Sequence, residues 1–416
     1  MTEAITLLKD KRILLGVTGS IACYKAVDLA SKLTQAGARV DVLMTEAAQR
    51  FVTALTFQAV TGRAVYTQLW ATESGGGLPT HIAHVGLAEG ADLLAIIPAT
   101  ADSLSRLATG AASDLLSVTA IAARCPLLLA PAMDGAMYEH PAVQANLALL
   151  AGRGAHIVEP EFGRFASGLE GRGRLPETPT LMGAIRLALG RAGALAGRRV
   201  LVTAGGTREP LDPVRYLTNR SSGKQGYALA QAALDMGAQV TLVSSAKGMP
   251  TPLGAQLVPV ETAAEMKDAV LRGVPEADML LMAAAVADFR PRTVAHDKIK
   301  KSEQPADGLS LELERTEDIL AAVRNQRDNS GMPRVVVGFA AESQDLLAYA
   351  QEKMRRKGAD LLVANDISAA DAGFDVDTNR VLLLSADGGQ ESLALMSKTR
   401  VAEIIIERAA VLLAAR

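Results

Sequence analysis

The sequence has few aromatic residues, few cysteines and almost no excess charge of either sign. Phe, Trp and Tyr make up 3% of its 416 residues, so its hydrophobic cores must be built from Ala, Val, Leu and Ile. Its only cysteines, Cys23 and Cys125, exclude a disulfide framework and are typical of a reducing compartment. A net charge of −2 argues against binding to nucleic acid through bulk charge.

The sequence also lacks an apolar run long enough to span a membrane. Its first residues, MTEAITLLKDKR, include acidic side chains and show no cleavable signal pattern. We therefore expect a cytoplasmic protein that binds neither membranes nor nucleic acid. The length of the chain favours two or more domains, and its 49% hydrophobic content is ample for their cores.

One local pattern occurs twice: a buried strand, a turn with glycines, an amphipathic helix that ends at a glycine, and a second strand. The copies lie at residues 11–44 and 198–243. Further apolar runs predict more strands at Leu93–Ile97, Leu127–Ala130, Met279–Ala283, Val335–Phe339 and Leu361–Ala364. This alternation predicts an α/β protein with two open, mostly parallel-sheet, Rossmann-like three-layer domains, whose ligands bind at the carboxyl ends of strands.

The boundary between these domains is predicted from residues 178–197, TPTLMGAIRLALGRAGALAG. They are typical of a last helix followed by a Gly/Ala linker. We place the boundary near residue 191, which gives domains at residues 1–190 and 191–416.

Polar residues follow four successive predicted strands of the first half. The turn GVTGSIACYKA places Gly19 and Ser20 at a helix start, where free N–H groups and the helix dipole favour an anion. The later strands are followed by Thr45, by Thr100, Asp102 and Ser103 in PATADS, and by the PAMDGAM turn with Met133. Together these strand ends fit one phosphate-bearing ligand, although ordinary helix capping explains part of each.

Two other features of the first half carry less information by themselves. His81 and His84 precede the third predicted strand, and a lone histidine is more often a surface or packing residue than a catalyst. Residues 161–177, EFGRFASGLEGRGRLPE, fit no helix or strand pattern. We interpret them as a mobile, charged, glycine-rich loop.

The second half has its densest motif at residues 204–226, AGGTREPLDPVRYLTNRSSGKQG, where glycines, hydroxyls, Asn219 and Lys224 precede a helix. The Walker spacing is absent. AAAVADFRP contains Asp288, a candidate partner for Mg²⁺ or a ribose. KIKK at residues 298–301 and KMRRK at residues 353–357 could meet a triphosphate as point charges, although a solvated helix face also explains lysine clusters.

Taken together, these motifs resemble two known families. GVTGSIACYKA, MTEAA, HVGL before ADLL, PATAD, PAM and a loop that ends in GRGRLPE resemble the flavin-dependent cysteine decarboxylases over essentially all of the first half. TREPLDPVRYLTNRSSGKQG, AAAVADFRP, KIKK, GFAAE and LLVAND resemble phosphopantothenate–cysteine ligases in order and spacing. The whole chain is similar to the bifunctional flavoproteins of coenzyme A biosynthesis.

The resemblance implies two successive reactions. A ligase half would activate 4′-phosphopantothenate with CTP and Mg²⁺ as an acyl-cytidylate and join it to cysteine. A flavodoxin-like half would then use FMN to decarboxylate the product to 4′-phosphopantetheine. The family forms homo-oligomers, so we expect one here.

The resemblance also implies roles for particular residues. In the flavin half, His84 would be the catalytic acid or base, and Arg172 or Arg174 of a flap would meet substrate charge. FMN would contact Gly19, Ser20, Thr45, Thr100, Asp102, Ser103 and Met133. In the ligase half, Asn219 would hold the acyl intermediate and Lys298 would act in its formation or breakdown. The nucleotide site, with Asp288 as the metal partner, would contain Ala284, Asp288, Lys298, Phe339, Lys353 and Lys357.

Two residues depart most clearly from the family pattern, and a milder change is Ser113–Asp114, where Asn–Asp is commoner. Ser167 stands where the flap usually carries a cysteine, and Asp134 stands where PAMN is usual. A serine hydroxyl is redox-inert and a far weaker acid than a thiol, and an ionised Asp134 would repel the substrate carboxylate. Either the decarboxylase has lost or altered its activity while it keeps FMN, or Asp134 and Ser167 work together in a modified catalytic site. The otherwise intact flavin-site pattern favours the second hypothesis.

Two functions from other classes compete with this interpretation. A dinucleotide oxidoreductase is disfavoured, because the first turn lacks the full G-x-G-x-x-G and no acidic residue ends the second strand. A non-catalytic flavoprotein subunit that regulates a partner would bind flavin without turnover by either half.

Overall fold

The computed structural model describes residues 4–70, 83–165, 167–300, 309–342, 354, 356–366 and 376–416. The chain divides into two compact units, Met1–Gly190 and Arg191–Arg416. Each unit contains its own central sheet.

The first unit is built on a six-stranded parallel sheet. Its strands are β1 (Arg12–Val17), β2 (Arg39–Met44), β3 (Val65–Tyr66), β4 (Leu93–Ala99), β5 (Leu127–Pro131) and β6 (His156–Ile157). The order across the sheet is β3-β2-β1-β4-β5-β6. This order confirms the predicted parallel α/β architecture of the first half.

Helices cover both faces of this sheet. They are α1 (Cys23–Gln35), α2 (Glu46–Gln49), α3 (Ala54–Thr61), α4 (Ala83–Ala88), α5 (Ala101–Thr109), α6 (Leu115–Ala122), α7 (Gly135–Tyr138), α8 (Pro141–Gly152) and α9 (Thr178–Gly190). Alternate residues of β1 face opposite sides, because Ile13 packs in a cluster with α1 and α9 while Leu14 packs with α5, α6 and α8. Gly37, whose φ is 99°, follows the end of α1 and turns the chain into β2.

Residues 161–177 contain a hairpin, so their interpretation as a loop without strands is wrong. The strands β7 (Glu161–Arg164) and β8 (Glu170–Arg174) pair antiparallel. Both consist largely of Gly, Arg and Glu, and they pair through backbone groups. Neither strand therefore shows the alternation of apolar and polar residues that identifies a half-buried strand.

The second unit contains an eight-stranded mixed sheet and two small antiparallel ribbons. Its strands are β9 (Arg199–Ala204), β10 (Arg208–Pro210), β11 (Tyr216–Thr218), β12 (Gln239–Ser244), β13 (Ala255–Pro259), β14 (Met279–Met282), β15 (Phe289–Pro291), β16 (Leu313–Arg315), β17 (Val335–Glu342), β18 (Leu361–Asp366), β19 (Thr378–Ser385) and β20 (Gln390–Ser397). The large sheet has the order β13-β12-β9-β14-β17-β18-β19-β20. The ribbons are β10–β11 and β15–β16.

The large sheet is parallel from β13 to β18 and antiparallel from β18 to β20. Its helices are α10 (Lys224–Asp235), α11 (Ala263–Gly273), α12 (Ile319–Ser330) and α13 (Lys398–Ala414). Helices α11 and α12 share a core with Leu201 and Leu280, while α10 packs on α13 and on β9. The sheet therefore confirms the predicted mostly parallel α/β fold, and its antiparallel edge adds two strands that the sequence pattern did not predict.

Helix α10 packs so closely against β9 at Gly226 that there is no room for a side chain. A Cβ atom at this position would lie 2.5 Å from Cβ of Ala204 and 2.8 Å from the carbonyl oxygen of Thr203. We expect Gly226→Ala to lower the free energy of unfolding by about 1–3 kcal/mol, because an overpacked interface forces the helix and strand apart. Urea denaturation followed by circular dichroism measures this change.

Gly152 provides the matched control, because it lies in α8 and no atom would lie within 4 Å of its added Cβ. Gly152→Ala should be neutral or slightly stabilising, since Ala has the higher helix propensity. Equal denaturation midpoints for the two variants would contradict the close packing of α10.

Candidate active sites

The first unit has a cavity of about 1180 Å³ at the carboxyl ends of β1, β2, β4 and β5. Its wall contains all the residues for which the resemblance implies contact with FMN: Gly19, Ser20, Thr45, Thr100, Asp102, Ser103 and Met133. Parallel strand polarity brings these residues together, although they come from turns spread over more than a hundred positions. The volume is sufficient for a nucleotide-sized cofactor.

Several polar groups at this edge cap helices, as the capping interpretation predicts. The side chain of Thr45 accepts a hydrogen bond from the Ala48 N–H, and that of Thr100 accepts one from the Ser103 N–H. Helix α1 has no side-chain cap. The turn before it, with Gly19 and Ser20, lines the cavity. The N-terminus of α1 is therefore the place in this wall that best suits a phosphate.

The β7–β8 hairpin also lines this cavity, through residues that include Phe165, Gly173 and Arg174. The Met133 N–H donates a hydrogen bond of 3.0 Å to the Gly173 carbonyl oxygen. Gly173 has a φ of 152°, and a Cβ atom there would collide with the Met133 carbonyl oxygen. This close approach requires glycine at position 173.

Asp134 and Ser167, the two departures from the family pattern, are in direct contact at this cavity. The Ser167 hydroxyl donates a hydrogen bond of 2.9 Å to Oδ2 of Asp134. Oδ1 of Asp134 accepts one of 3.2 Å from the Ala136 N–H. Both carboxylate oxygens of Asp134 therefore act as acceptors at this cavity.

Two other predicted residues are not among the described residues that line the cavity. His84 is half-buried in α4. Arg172 lies in β8, with its Nη1 atom 3.8 Å from Oε2 of Glu159. His81 lies outside the described residues. The catalytic role of His84 stays a prediction.

The second unit has a cavity of about 480 Å³ at the carboxyl ends of β14, β17 and β18, next to the N-terminus of α10. Its wall includes the predicted residues Asn219, Ala284, Asp288, Phe339 and Lys357. The Asn219 amide donates a hydrogen bond of 3.1 Å to the carbonyl oxygen of Val286, in the turn that follows β14. This bond fixes the orientation of the Asn219 side chain.

Two predicted residues of the ligase site are not placed in this wall. Lys298 is exposed and is not among the described residues that line the cavity. Lys353 lies outside the described residues. Within the described part of the chain, no group of three or more His, Cys, Asp or Glu side chains could hold a metal ion. The role of Asp288 as a metal partner stays a prediction.

Comparison with known proteins covers both units. Residues 1–189 match the family model described as Flavoprotein. Residues 195–412 match the model described as DNA/pantothenate metabolism flavoprotein C-terminal domain. The coenzyme A biosynthesis bifunctional protein CoaBC of Bacillus subtilis is 44% identical over 98% of this chain and 98% of its own length. That of Mycobacterium tuberculosis H37Rv is 47% identical over 95% of this chain and 96% of its own. The chain belongs to the CoaBC family.

Solved structures of similar proteins each cover one part of this CoaBC-family chain. A crystal structure of the C-terminal domain of a CoaBC protein has 38% identity and a TM-score of 0.46, and covers 54% of this chain and 100% of its own. A structure of the FMN-dependent cysteine decarboxylase SpaF has 35% identity and a TM-score of 0.36, and covers 43% of this chain and 99% of its own. Within the described residues, no helix combines the length and the apolar character needed to cross a bilayer.

The structure also reveals a buried lysine that the motifs did not single out. Lys25 of α1 lines the first cavity and is only 5% exposed. Its Nζ atom donates hydrogen bonds of 2.8 Å to the Leu175 carbonyl oxygen and of 2.8 Å to Oε1 of Glu177. Arg174 donates a third hydrogen bond, of 3.1 Å, to the same Glu177 oxygen. These contacts fasten the base of the hairpin to α1. The position of Lys25, one turn before the buried Leu29, was the available signal.

Two lysines in the second cavity were likewise given no role. Lys224 and Lys398 are the first residues of α10 and α13, and both line the cavity. Lys398 is 6% exposed, and Lys224 forms an ion pair of 2.6 Å with Asp377 that lowers the pKa of this carboxylate. A lysine at a helix N-terminus opposes the helix dipole. The two lysines place two positive charges in the wall of this cavity.

The Lys25–Glu177 pair predicts how acid affects the first unit. Lys25 lowers the pKa of Glu177 below its ordinary value of 4.5. The ionised pair therefore stabilises the fold above that value, and this contribution is lost as the pH falls through the lowered pKa of the folded state. We expect Glu177→Gln to be less stable than the wild type near neutral pH, and the difference to shrink on acidification.

Urea denaturation between about pH 7 and about pH 3 measures this difference. Glu139→Gln is a matched control, because Glu139 is an exposed glutamate at the end of α7. A stability difference for Glu177→Gln that is independent of pH would show that the ion pair does not contribute.

Proposed function

We propose that this bifunctional enzyme of coenzyme A biosynthesis ligates cysteine to 4′-phosphopantothenate in its second unit and decarboxylates the conjugate to 4′-phosphopantetheine in its first. The observation that carries the proposal is the similarity to bifunctional CoaBC proteins over almost the whole chain. A separate cavity in each unit supports a division of the two reactions between them.

The first unit would bind FMN in its large cavity. The match to the Flavoprotein family and the uncapped start of α1 support this cofactor. The flavin phosphate would lie against Gly19 and Ser20, while Thr45, Thr100 and Ser103 would offer hydroxyl groups. When bound, FMN would supply the oxidation of the cysteine thiol and the return of the electrons after loss of CO₂.

His84 would be the acid or base that the resemblance implies, and Asp134 with Ser167 would move the thiol proton in this reaction. Oδ2 of Asp134 would accept the thiol proton during oxidation and return it when the product is reduced. The Ser167 hydroxyl would orient that oxygen through its 2.9 Å hydrogen bond. General acid–base catalysis of this kind contributes about 10²- to 10⁴-fold to a rate. Arg174 and the Lys25–Glu177 pair, at the base of the same hairpin, would balance the negative charge of the substrate.

The second unit would bind CTP and Mg²⁺. The ammonium groups of Lys224, Lys357 and Lys398 would neutralise the triphosphate, and Asp288 would hold the metal ion. Asn219 would position the acyl-cytidylate and Lys298 would act in its formation or breakdown. Lys298 stands outside the cavity of its own chain. The chain would work as a homo-oligomer. Association would cover the exposed apolar side chains of Ile21 and Tyr24 beside the cavity of the first unit.

Identification of the reaction products tests the function. We expect the full chain, incubated with 4′-phosphopantothenate, cysteine, CTP and Mg²⁺, to release pyrophosphate, CO₂ and 4′-phosphopantetheine, as measured by mass spectrometry. Accumulation of the cysteine conjugate without CO₂ would support the alternative of a flavin-binding unit that no longer decarboxylates. Turnover with ATP but not CTP, or turnover in excess EDTA, would contradict the nucleotide or the metal assignment.

The Asp134–Ser167 pair makes a separate prediction. Ser167→Ala and Asp134→Asn should each lower kcat for decarboxylation by about 10²-fold, because either change removes the oriented proton acceptor. Both should leave flavin absorbance and the ligase rate of the same molecule unchanged. Ser105→Ala, at an exposed serine on α5, is the matched control. Wild-type decarboxylation by Ser167→Ala would refute the proposed role of the pair.

A further inference from the structure

Asp212 is a buried carboxylate in the loop that joins β10 to β11. It is 3% exposed, and its carboxylate accepts hydrogen bonds from later residues of the same loop. Oδ1 accepts the N–H groups of Val214 and Arg215, each at 2.8 Å. Oδ2 accepts Nε and Nη2 of Arg215 at 2.9 and 2.6 Å. The Arg215 guanidinium holds the pKa of Asp212 far below its usual range, so the carboxylate is ionised at neutral pH.

The same two side chains hold a second segment of the chain through its backbone. Oδ2 of Asp212 accepts the Ile299 N–H at 3.2 Å, and Nη2 of Arg215 donates to the Ile299 carbonyl oxygen at 2.7 Å. The Ala295 N–H donates to the Leu211 carbonyl oxygen at 3.0 Å. Residues 295–299 are therefore fastened to the β10–β11 loop at both ends, and Lys298 lies between the two attachments.

The turn alone does not require this charge. An Asn side chain could accept the N–H groups of Val214 and Arg215 equally well, because Asx turns need only one acceptor oxygen. A two-stranded ribbon gains little from a buried ion, whose removal from water costs free energy. Besides pairing with each other, the second carboxylate oxygen and the planar guanidinium hold both backbone groups of Ile299, which the turn itself does not need.

We propose that Asp212 and Arg215 are positioning residues of the ligase: through the backbone of Ile299 they fix where the Lys298 ammonium group stands. The inference rests on the proposed role of Lys298 in forming or breaking the acyl-cytidylate. Neither side chain is among the described residues that line the second cavity, so nucleotide binding does not explain them. A positioning role explains why the motif LDPVR contains both residues.

A double-mutant cycle in the full chain tests the proposal. Asp212→Asn, Lys298→Gln and the double variant are assayed for pyrophosphate release, with decarboxylation of the purified cysteine conjugate as the internal control. We expect Asp212→Asn to lower the ligase kcat by about 10- to 100-fold, because a small misplacement of a catalytic group has effects of this size. The KM for CTP and the decarboxylase rate should stay unchanged. The double variant should be no slower than Lys298→Gln alone.

Asp297→Asn is the matched control. It removes an exposed negative charge beside Lys298 but no contact of Asp212 or Arg215, so its ligase rate should match the wild type. Losses that multiply in the double variant, or a raised KM for CTP with unchanged kcat, would overturn the proposal. A chain that ligates normally with Lys298→Gln would also overturn it, while the ligase function itself would stand.

Arg215→Met covers the case in which Asp212→Asn does not fold. This variant keeps the acceptors for the Val214 and Ile299 N–H groups and removes only the guanidinium contacts. It should show the same reduced kcat and the same lack of additivity with Lys298→Gln. Additive losses in this variant would overturn the inference.

Discussion

The common direction of the central strands is the constraint on which both sites depend. In the first unit, β1, β2, β4 and β5 end at the same edge of the sheet, so four turns that are distant in sequence form one wall. In the second unit, β14, β17 and β18 do the same. In both units the helix that follows the first strand of the repeated pattern begins without a side-chain cap. Strand polarity places that helix end in the wall of the cavity, where the helix dipole favours an anion.

Buried charges then determine how the irregular segments sit on these sheets. Lys25 fastens the base of a hairpin, and Asp212 fastens the segment that carries Lys298. Each of these side chains makes bonds with backbone groups as well as with an opposite charge, so its burial is compensated on several sides. An apolar contact could hold the same segments together, but it would not fix their orientation. Directional bonds to charged groups do so, and the chemistry proposed for both units requires such orientation.

The sequence allowed prediction of those parts of the fold that rest on apolar periodicity. The runs at Ile13–Val17, Leu93–Ile97 and Val335–Phe339 are strands in the structure, because burial on both faces requires continuous apolar residues. The β7–β8 hairpin could not be found in this way, since its pairing depends on backbone groups. Strands β19 and β20 were not predicted, although the short DGG turn between them is a hairpin signal and permits only antiparallel pairing.

The candidate sites likewise contain residues that the sequence pattern predicted and residues that it did not. Residues at strand ends, such as Thr45 and Thr100, were predictable because topology gathers them, and they do line one cavity. Lys25, Lys398 and Asp212 were not given roles, because a charged residue in an apolar stripe or a turn motif reveals its importance only when its burial and its partners are known. The contact between Asp134 and Ser167 joins residues 33 positions apart and needed the hairpin geometry.

The two ends of the β7–β8 hairpin are held with unequal strength. Among the described residues, its base has two bonds from a buried ammonium group, whereas Ser167 near its tip has one exposed bond to Asp134. We therefore expect local opening of the hairpin to start at its tip and to stop at its base. Amide hydrogens near Ser167 will exchange with solvent far more often than those near Leu175. The contact at the tip joins the two residues that depart from the family pattern, whereas the contacts at the base anchor the hairpin to α1.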